Sequence, residues 1–175
     1  MADHSPASQI IFLRHGIATD RENFSGPDSV RPLTELGAKK VLRVAKGLSR
    51  LYWPSLIVTS DYVRARETGK ICLNVLEREI GEPIQLKETV SLRPNATWAE
   101  WNSWQKKLNR LVEPNQSMLV IGHEPNLSRL LGEYLKSPTE IFSLKKAGVA
   151  VIDYISNKWC LQALIPPKVW KSRTK

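Results

Sequence analysis

The first pattern in the chain is a series of short apolar runs that alternate with longer segments of helical periodicity. Mostly apolar runs occupy positions 10–13, 56–59, 84–86 and 118–121. Short apolar runs bounded by polar or turn-forming residues are typical of buried strands. We therefore predict a strand at each of these positions.

Between the runs, apolar residues recur every three or four positions, which predicts amphipathic helices. The first helix is predicted over 34–51, with Thr34 as its N-cap. The second is predicted over 61–81, with Asp61 as the capping residue and Gly81 at its end.

The second half of the chain continues the alternation and ends differently. A third helix is predicted over 98–111, and a fourth begins near Pro125, which suits a first helical turn because its missing N–H costs nothing there. Two apolar runs at 149–154 and 159–164 predict a hairpin. The segment 16–32 has no sustained period and predicts a long loop of the kind that is often functional.

Strands that alternate with helices and end in a hairpin predict an α/β fold. We expect a three-layer α/β/α sandwich whose central sheet is mostly parallel, with an antiparallel edge strand. The length of 175 residues predicts a single domain over 1–175. Its core is expected over about 9–165, followed by a basic, solvated tail over about 166–175.

Composition narrows the class of protein. Hydrophobic residues make up 42% and charged residues 25%, a globular balance. There is no run of ~18 apolar residues to span a membrane, and positions 1–8 lack the features of a signal peptide. We expect a cytoplasmic protein with no membrane partner. Cys72 and Cys160 lack metal-ligand spacing and are expected to be buried free thiols.

The net charge of +9 predicts an anionic partner without saying which one. Nucleic acid, a phosphorylated protein and a phosphorylated metabolite all fit this charge. Part of the excess lies in the basic tail, where solvated charges need no partner.

Residues that could take part in catalysis lie where two of the predicted strands end. Arg14 and His15 close the run at 10–13, and His123 closes the run at 118–121. In open α/β sheets, ligands bind at the carboxyl ends of the strands. A lone histidine is more often a buried polar contact, but the recurrence of the pattern favours a site. A neutral His15 imidazole could act as a nucleophile toward phosphorus.

Cationic groups for phosphoryl oxygens lie at the same predicted edge. Arg14 and Arg64 offer planar donors that suit phosphate, although a helical Arg64 taken alone is more often a surface charge. His123 could add a further contact. The helix that begins near Pro125 could direct free backbone amides, including that of Glu124, toward an anion.

Four motifs in register resemble the histidine phosphatase (phosphoglycerate mutase-like) superfamily, and most closely its small SixA-type phosphohistidine phosphatases. The match extends over most of the chain, from about residue 10 to about residue 164. The motifs are LRHG at 13–16, SVRPLT at 29–34 with Gly37, TSDYVRA at 59–65 with Thr68, and IGHEP at 121–125.

The resemblance implies a role for each matching residue. His15 would be the phosphorylated nucleophile, and Arg14, Arg64 and His123 would form the phosphate pocket. Arg31 would be an additional phosphate or substrate contact, and Ser60 would lie at the pocket wall. The family is metal-independent, so the resemblance implies neither a metal nor another cofactor.

The chain departs from many superfamily members in the segment where they carry an acidic proton donor. The nearest candidate is Glu88, whose alternative is a solvated carboxylate at a strand end. Glu124 is more plausible as a charge at a helix start. A phosphoramidate leaving group needs less acid assistance than an alkoxide, so a site that lacks a donor favours phosphohistidine on a protein or peptide.

Three alternatives remain open at this point. The same residues could serve a phosphatase of small phosphate esters or nucleotides, or a relative that has lost activity. A non-catalytic phosphate- or nucleic-acid-binding module is the third, suggested by the charge and by Trp98, Trp101 and Trp104. The helical spacing of these tryptophans favours packing over exposure, so we do not expect nucleic acid to be the partner.

Overall fold

The computed structural model describes residues 8–108, 116–138 and 141–170. Within these ranges, six strands and four α-helices follow one another. The strands are β1 (Gln9–Arg14), β2 (Pro54–Ser60), β3 (Gln85–Thr89), β4 (Ser117–Gly122), β5 (Val149–Ile155) and β6 (Lys158–Ile165). The helices are α1 (Glu35–Leu48), α2 (Val63–Ile80), α3 (Trp98–Leu108) and α4 (Asn126–Leu135).

All six strands form one sheet in the order β3-β2-β4-β1-β5-β6. The first four are parallel neighbours, whereas β5 pairs antiparallel with both β1 and β6. This arrangement confirms the predicted mostly parallel sheet with an antiparallel edge strand, since the edge strand β6 pairs antiparallel with β5. Because the four parallel strands run in one direction, their carboxyl ends meet at the same edge of the sheet.

Helices cover both faces of the sheet, as predicted for a three-layer sandwich. Neighbouring residues of a strand point to opposite faces. Ile10 and Phe12 of β1 therefore enter the core beneath α3 and α4, and Ile11 and Leu13 enter the core beneath α1 and α2. Among the described helices, none is long and apolar enough to cross a membrane.

The first two helices confirm most of the predicted end signals. The Thr34 hydroxyl accepts a hydrogen bond from Gly37 N at 3.0 Å and caps α1. Gly81 ends α2 in the left-handed region with φ 82°. The predicted cap at Asp61 is wrong: α2 begins at Val63, and the Asp61 carboxylate instead pairs with Arg93.

Differences in the other elements have simple causes. Pro125 precedes α4 as its N-cap residue rather than lying in its first turn. The hairpin loop is shorter than predicted, since only Ser156 and Asn157, both with positive φ, separate β5 from β6. Cys72 is a buried free thiol as expected, whereas Cys160 is only half-buried on the edge strand.

The tryptophans of α3 pack as predicted, whereas the segment after β6 differs in part from its prediction. Trp101 is fully buried, and Trp98 and Trp104 pack against the same core, which confirms packing over exposure. Within the segment predicted as a solvated tail, Lys168 and Val169 are exposed, whereas Trp170 packs against the core. The turn Pro167–Trp170 places the Trp170 ring against Gly47 of α1. The ring packs there against apolar residues of the core on that face of the sheet. Positions 171–175 lie outside the described residues, as does the predicted end of the third helix near 111.

Gly37 allows the start of α1 to approach the segment that follows His15. A Cβ at this position would clash with the backbone oxygen of Ile17. The close approach lets Ile17 O accept a hydrogen bond from Thr34 N at 2.9 Å. The loop is thereby anchored to the helix directly beside the candidate site.

Candidate active site

The parallel pairing of β1 with β4 brings His15 and His123 together. His15 N donates to Gly122 O at 3.0 Å, and the two imidazole rings lie 4.9 Å apart between centroids. Both side chains are buried, with 5% and 1% exposure. The sequence prediction that the two strand-end histidines meet at one edge of the sheet agrees with this geometry.

The hydrogen bonds of His15 determine which ring nitrogen carries the proton. Nδ1 lies 2.7 Å from Gly16 O, and because a carbonyl oxygen only accepts, Nδ1 is the protonated nitrogen. Nε2 therefore keeps its lone pair, and Arg64 Nε donates to it at 3.3 Å. This arrangement gives His15 the tautomer that a nucleophile attacking through Nε2 requires.

Burial also keeps both imidazoles neutral. Desolvation lowers the pKa of His15 to about 3; the hydrogen bond to Gly16 opposes the shift, and the positive charges of Arg64, Arg14 and Lys146 add to it. Desolvation likewise lowers the pKa of His123 to about 2, with further contributions from nearby positive groups. A neutral His15 at neutral pH is chemically competent for attack.

Arg64 lies in the first turn of α2 and is only 3% exposed. Its Nη1 donates to Asp28 O at 2.7 Å, and its Nη2 donates to the Asp28 carboxylate at 2.9 Å. Its guanidinium carbon also lies 4.9 Å from the centroid of the Tyr62 ring. These contacts hold the guanidinium in one orientation, with Nε directed at His15.

Arg14 approaches the site from the strand end itself. Its Nη1 donates to Leu144 O at 2.8 Å. Its Nε is buried and has no hydrogen-bond partner within the described part of the chain. A buried donor without a partner is costly unless a ligand completes it. Arg14 is therefore suited to bind an anion beside His15.

Ser60 and His123 form a direct contact at the end of β2. Their Oγ and Nε2 atoms are 3.0 Å apart, while the buried Nδ1 of His123 has no partner in the described ranges. The Tyr62 ring packs edge-on against His123 with centroids 5.0 Å apart. The structure thus brings Ser60 into direct contact with His123.

Arg31 is linked to Arg64 through Asp28, whose carboxylate pairs with both guanidinium groups. Arg31 donates through Nε and Nη2 to Asp28 Oδ1, at 3.0 and 2.8 Å, and through Nη1 to Thr19 O. Partial burial raises the pKa of Asp28, but the bonds from Arg31 and Arg64 outweigh it and hold the pKa below its ordinary value. Asp28 was missed from sequence; its place three residues before Arg31 was the available signal.

The two acidic candidates are used elsewhere. Glu88 is half exposed on β3 and lies 3.8 Å from Arg66, with no hydrogen bond to either histidine among the described residues. The Glu124 carboxylate accepts from Leu144 N at 3.0 Å and Ser128 N at 3.4 Å. The structure therefore does not bring either carboxylate to His15.

The prediction of free amides at the start of α4 also needs correction. Leu127 N donates to His123 O, and Ser128 N donates to the carboxylate of Glu124. Glu124 folds back over the helix start because its negative charge is stabilised there. These two amides are therefore already satisfied within the protein, and no contact of the Glu124 N–H to the site is seen in the described ranges.

Thr68 is a further residue that supports the site from α2. Its hydroxyl donates to Arg64 O at 2.7 Å and accepts from Gly16 N at 3.1 Å. It connects the first turn of α2 to the residue that follows His15. This link helps to hold Arg64 and His15 in register.

A buried, neutral imidazole whose unprotonated nitrogen accepts from a guanidinium, at the carboxyl edge of a parallel sheet, is typical of a phosphoryl-handling α/β protein. The model of the histidine phosphatase superfamily (branch 1) matches residues 10–101. An uncharacterized protein of a Picosynechococcus species is 30% identical over 144 residues, which cover 81% of this chain and 82% of that protein. The chain belongs to the histidine phosphatase superfamily and is a phosphatase.

Solved structures show the same fold. The protein histidine phosphatase SixA, complexed with tungstate, superimposes with a TM-score of 0.77 at 24% identity and covers 93% of this chain and 99% of its own. A mycobacterial glucosyl-3-phosphoglycerate phosphatase gives a TM-score of 0.67 at 18% identity, with 91% of this chain and 99% of its own covered. The fold is therefore common to phosphatases of different substrates.

Proposed function

We propose that this protein is a metal-independent phosphohistidine phosphatase that acts on a protein or peptide and forms a phosphorylated His15 during turnover. Arg14, Arg64 and His123 bind the transferring phosphoryl group, and Arg31 and Ser60 complete the pocket. The observation that carries the proposal is the His15 ring itself. Its proton is held on Nδ1 by Gly16 O, and its Nε2 lone pair faces the buried Arg64 guanidinium beside His123.

The reaction proceeds in two displacements. His15 Nε2 attacks phosphorus, the bond from phosphorus to the substrate imidazole breaks, and that imidazole leaves with the bonding pair. Water then attacks the phosphorus of phosphorylated His15, releases inorganic phosphate and returns the electron pair to Nε2. The guanidinium groups stabilise the charge on the phosphoryl oxygens in both steps.

The choice of phosphohistidine rests on the acids around the pocket. The Asp28 carboxylate is held ionised by two arginines, and Glu88 and Glu124 are engaged elsewhere. An ionised carboxylate cannot donate a proton to an alkoxide leaving group. An imidazole leaving group has less need of such a donor, so this pocket favours phosphoramidates.

A second candidate is a phosphatase of small phosphate esters or nucleotides. The observation in its favour is the loop at 16–32, which lies against the pocket through the backbone oxygen and carboxylate of Asp28 on Arg64. A loop in this position restricts one side of the entrance and suits a compact substrate. The reaction at His15 would be the same.

The test is phosphate release from a phosphohistidine peptide and from an aryl phosphate, with a chelator present. We expect wild type to hydrolyse both, the peptide faster, and His15→Ala to hydrolyse neither while unfolding as cooperatively as wild type. Glu88→Gln is the matched control and should keep wild-type rates, since its carboxylate lies outside the pocket. Faster hydrolysis of the aryl phosphate would favour the second candidate, and activity lost to the chelator would contradict metal independence.

A further inference from the structure

We propose that Arg93 forms a second anion subsite beside the phosphoryl pocket and binds a carboxylate or further phosphate of the substrate. The inference rests on the proposed function, because it concerns the substrate of the same pocket. Arg93 is not part of any motif described above. Its position, its immobilised side chain and its free donor lead to the proposal independently of those motifs.

The backbone at Arg93 is anchored close to His123. The residue follows the turn Val90–Leu92, directly after β3, at the same sheet edge as the histidines. The fully buried Asn126 side chain donates to Arg93 O at 2.9 Å and to Ser91 O at 3.4 Å. Because Asn126 is only three residues from His123, the anchor ties this turn to the pocket.

The Arg93 side chain is held in one position by Asp61, beside the Tyr62 ring that borders the pocket. Its Nε and Nη2 donate to the Asp61 carboxylate at 3.0 and 2.6 Å. Its guanidinium carbon lies 6.0 Å from the centroid of the Tyr62 ring. The same ring lies 4.9 Å from the guanidinium carbon of Arg64 and packs against His123. The Tyr62 ring therefore lies close to two guanidinium groups, the buried one of Arg64 and the exposed one of Arg93.

One donor of Arg93 remains available to a ligand. Nη1 has no hydrogen-bond partner in the part of the chain that the structure describes, and the side chain is 48% exposed. Asp61 occupies the other edge of the guanidinium and sets its plane. A guanidinium that is already oriented loses little entropy when it binds a second anion.

The phosphoryl group does not need this donor. Arg14 and Arg64 already border His15, so Arg93 is a cation beyond those that one phosphate requires. A substrate that uses Arg93 carries a second acidic group near its phosphoryl group. Two sources share this chemistry: a phosphohistidine peptide with acidic neighbours, and a small phosphorylated acid.

The direct test measures binding rather than turnover. Benzylphosphonate and 3-carboxybenzylphosphonate are titrated calorimetrically into wild type and Arg93→Gln. We expect Arg93→Gln to raise the Kd of the carboxylated phosphonate about tenfold, or about 1.4 kcal/mol, and to leave the Kd of benzylphosphonate unchanged. The matched control is Arg43→Gln, which removes the same charge from the exposed face of α1 and should change neither value.

Turnover distinguishes the two sources. Hydrolysis is compared for phosphohistidine peptides with aspartate or serine neighbours, and for phenyl phosphate with and without a 3-carboxylate. A preference for the acidic member of a pair that Arg93→Gln abolishes, through KM and not kcat, supports the subsite and identifies its source. Failure to hydrolyse any phosphohistidine peptide contradicts the proposed function, but it leaves the binding result intact.

Two results would overturn the subsite. The first is an equal loss of affinity for both phosphonates in Arg93→Gln, which would mean that Arg93 only supports the phosphoryl pocket. The second is a wild-type protein that binds the carboxylated phosphonate no more tightly than benzylphosphonate.

Discussion

At the scale of single residues, burial controls the protonation of both site histidines. Each ring is nearly inaccessible to water and lies near guanidinium groups, so the charged form is disfavoured. The neutral form is the one that nucleophilic attack requires. The free energy of unfolding is therefore lower at acidic pH, because the unfolded chain can protonate these rings where the folded chain cannot.

This difference predicts a pH-dependent stability. The unfolded histidines bind protons below about pH 6.5, whereas folded His15 and His123 do so only near pH 3 and pH 2. Since the unfolded state binds more protons in this window, the free energy of unfolding should decrease as the pH falls from about 6.5 toward 3. Each histidine contributes up to about 1.4 kcal/mol per pH unit.

Urea denaturation of wild type and of a variant carrying His15→Asn and His123→Asn checks this expectation between pH 7 and pH 4.5. The wild-type curve should be the steeper of the two. Parallel curves would show that the histidines titrate normally in the folded protein. At the same pH values, His15 stays neutral, so its protonation should not reduce kcat/KM.

Asp28 is the residue-scale feature that sequence analysis overlooked. Its carboxylate bridges Arg31 and Arg64, so Asp28→Asn should loosen the guanidinium that faces His15. We expect kcat/KM for an aryl phosphate to fall about tenfold, the effect of about one charge-assisted hydrogen bond, mainly through kcat. An unchanged or increased kcat/KM would show instead that the carboxylate competes with phosphate for the arginines.

At the scale of elements, the site depends on how closely α1 and α2 approach the segments around them. Gly37 permits backbone contact at the start of α1, and Thr68 joins α2 to Gly16. Helix α2 carries its own glycine, Gly69, in ordinary surroundings. Both glycines are helical and buried, but only Gly37 lies where a side chain would clash with the backbone.

Alanine at these two positions should have opposite effects on stability. Gly37→Ala would force Ile17 away from α1 and should destabilise the fold by roughly 1–3 kcal/mol. Gly69→Ala meets only ordinary contacts, the nearest at 3.4 Å, and should gain up to about 1 kcal/mol from helix propensity. Thermal and urea denaturation measure both. Similar changes in the two variants would contradict the assigned clash.

At the scale of the whole molecule, packing reaches beyond the final strand. Trp170 covers Gly47 on α1 and joins the core on that face of the sheet. Trp53 follows the same helix but does not pack in this way, since it is 65% exposed. One tryptophan closes a layer of the sandwich, and the other lies at the surface.

Replacing these tryptophans with alanine should change the free energy of unfolding to different extents and leave catalysis unchanged. Trp170→Ala uncovers part of α1 and should lower the free energy of unfolding by about 2 kcal/mol, less than for a fully buried tryptophan. Trp53→Ala should change it by about 0.5 kcal/mol. Both variants should keep wild-type kcat/KM, because neither ring touches the pocket. Equal stabilities would show that the Trp170 packing contributes nothing.

The order of strands and helices could be predicted from the chain because apolar spacing reports local structure directly. The run at 10–13 and the helical spacing after Thr34 reappear in β1 and α1 within a few residues. The strand-end positions of His15 and His123 followed from the same runs. Arg64 was a candidate because it closely follows the strand that ends at Ser60, and the family resemblance strengthened a candidate that its helical position alone would have left as a surface charge.

The tertiary structure decided the contacts that depend on distance rather than spacing. Asp61 became a partner of Arg93 instead of a helix cap, and Asp28 came between Arg31 and Arg64. Glu88 pointed to Arg66 on α2 rather than to a histidine. Local sequence fixes which groups lie at the edge of the sheet, but only packing brings residues from separate loops within hydrogen-bonding distance and removes the water that sets their protonation.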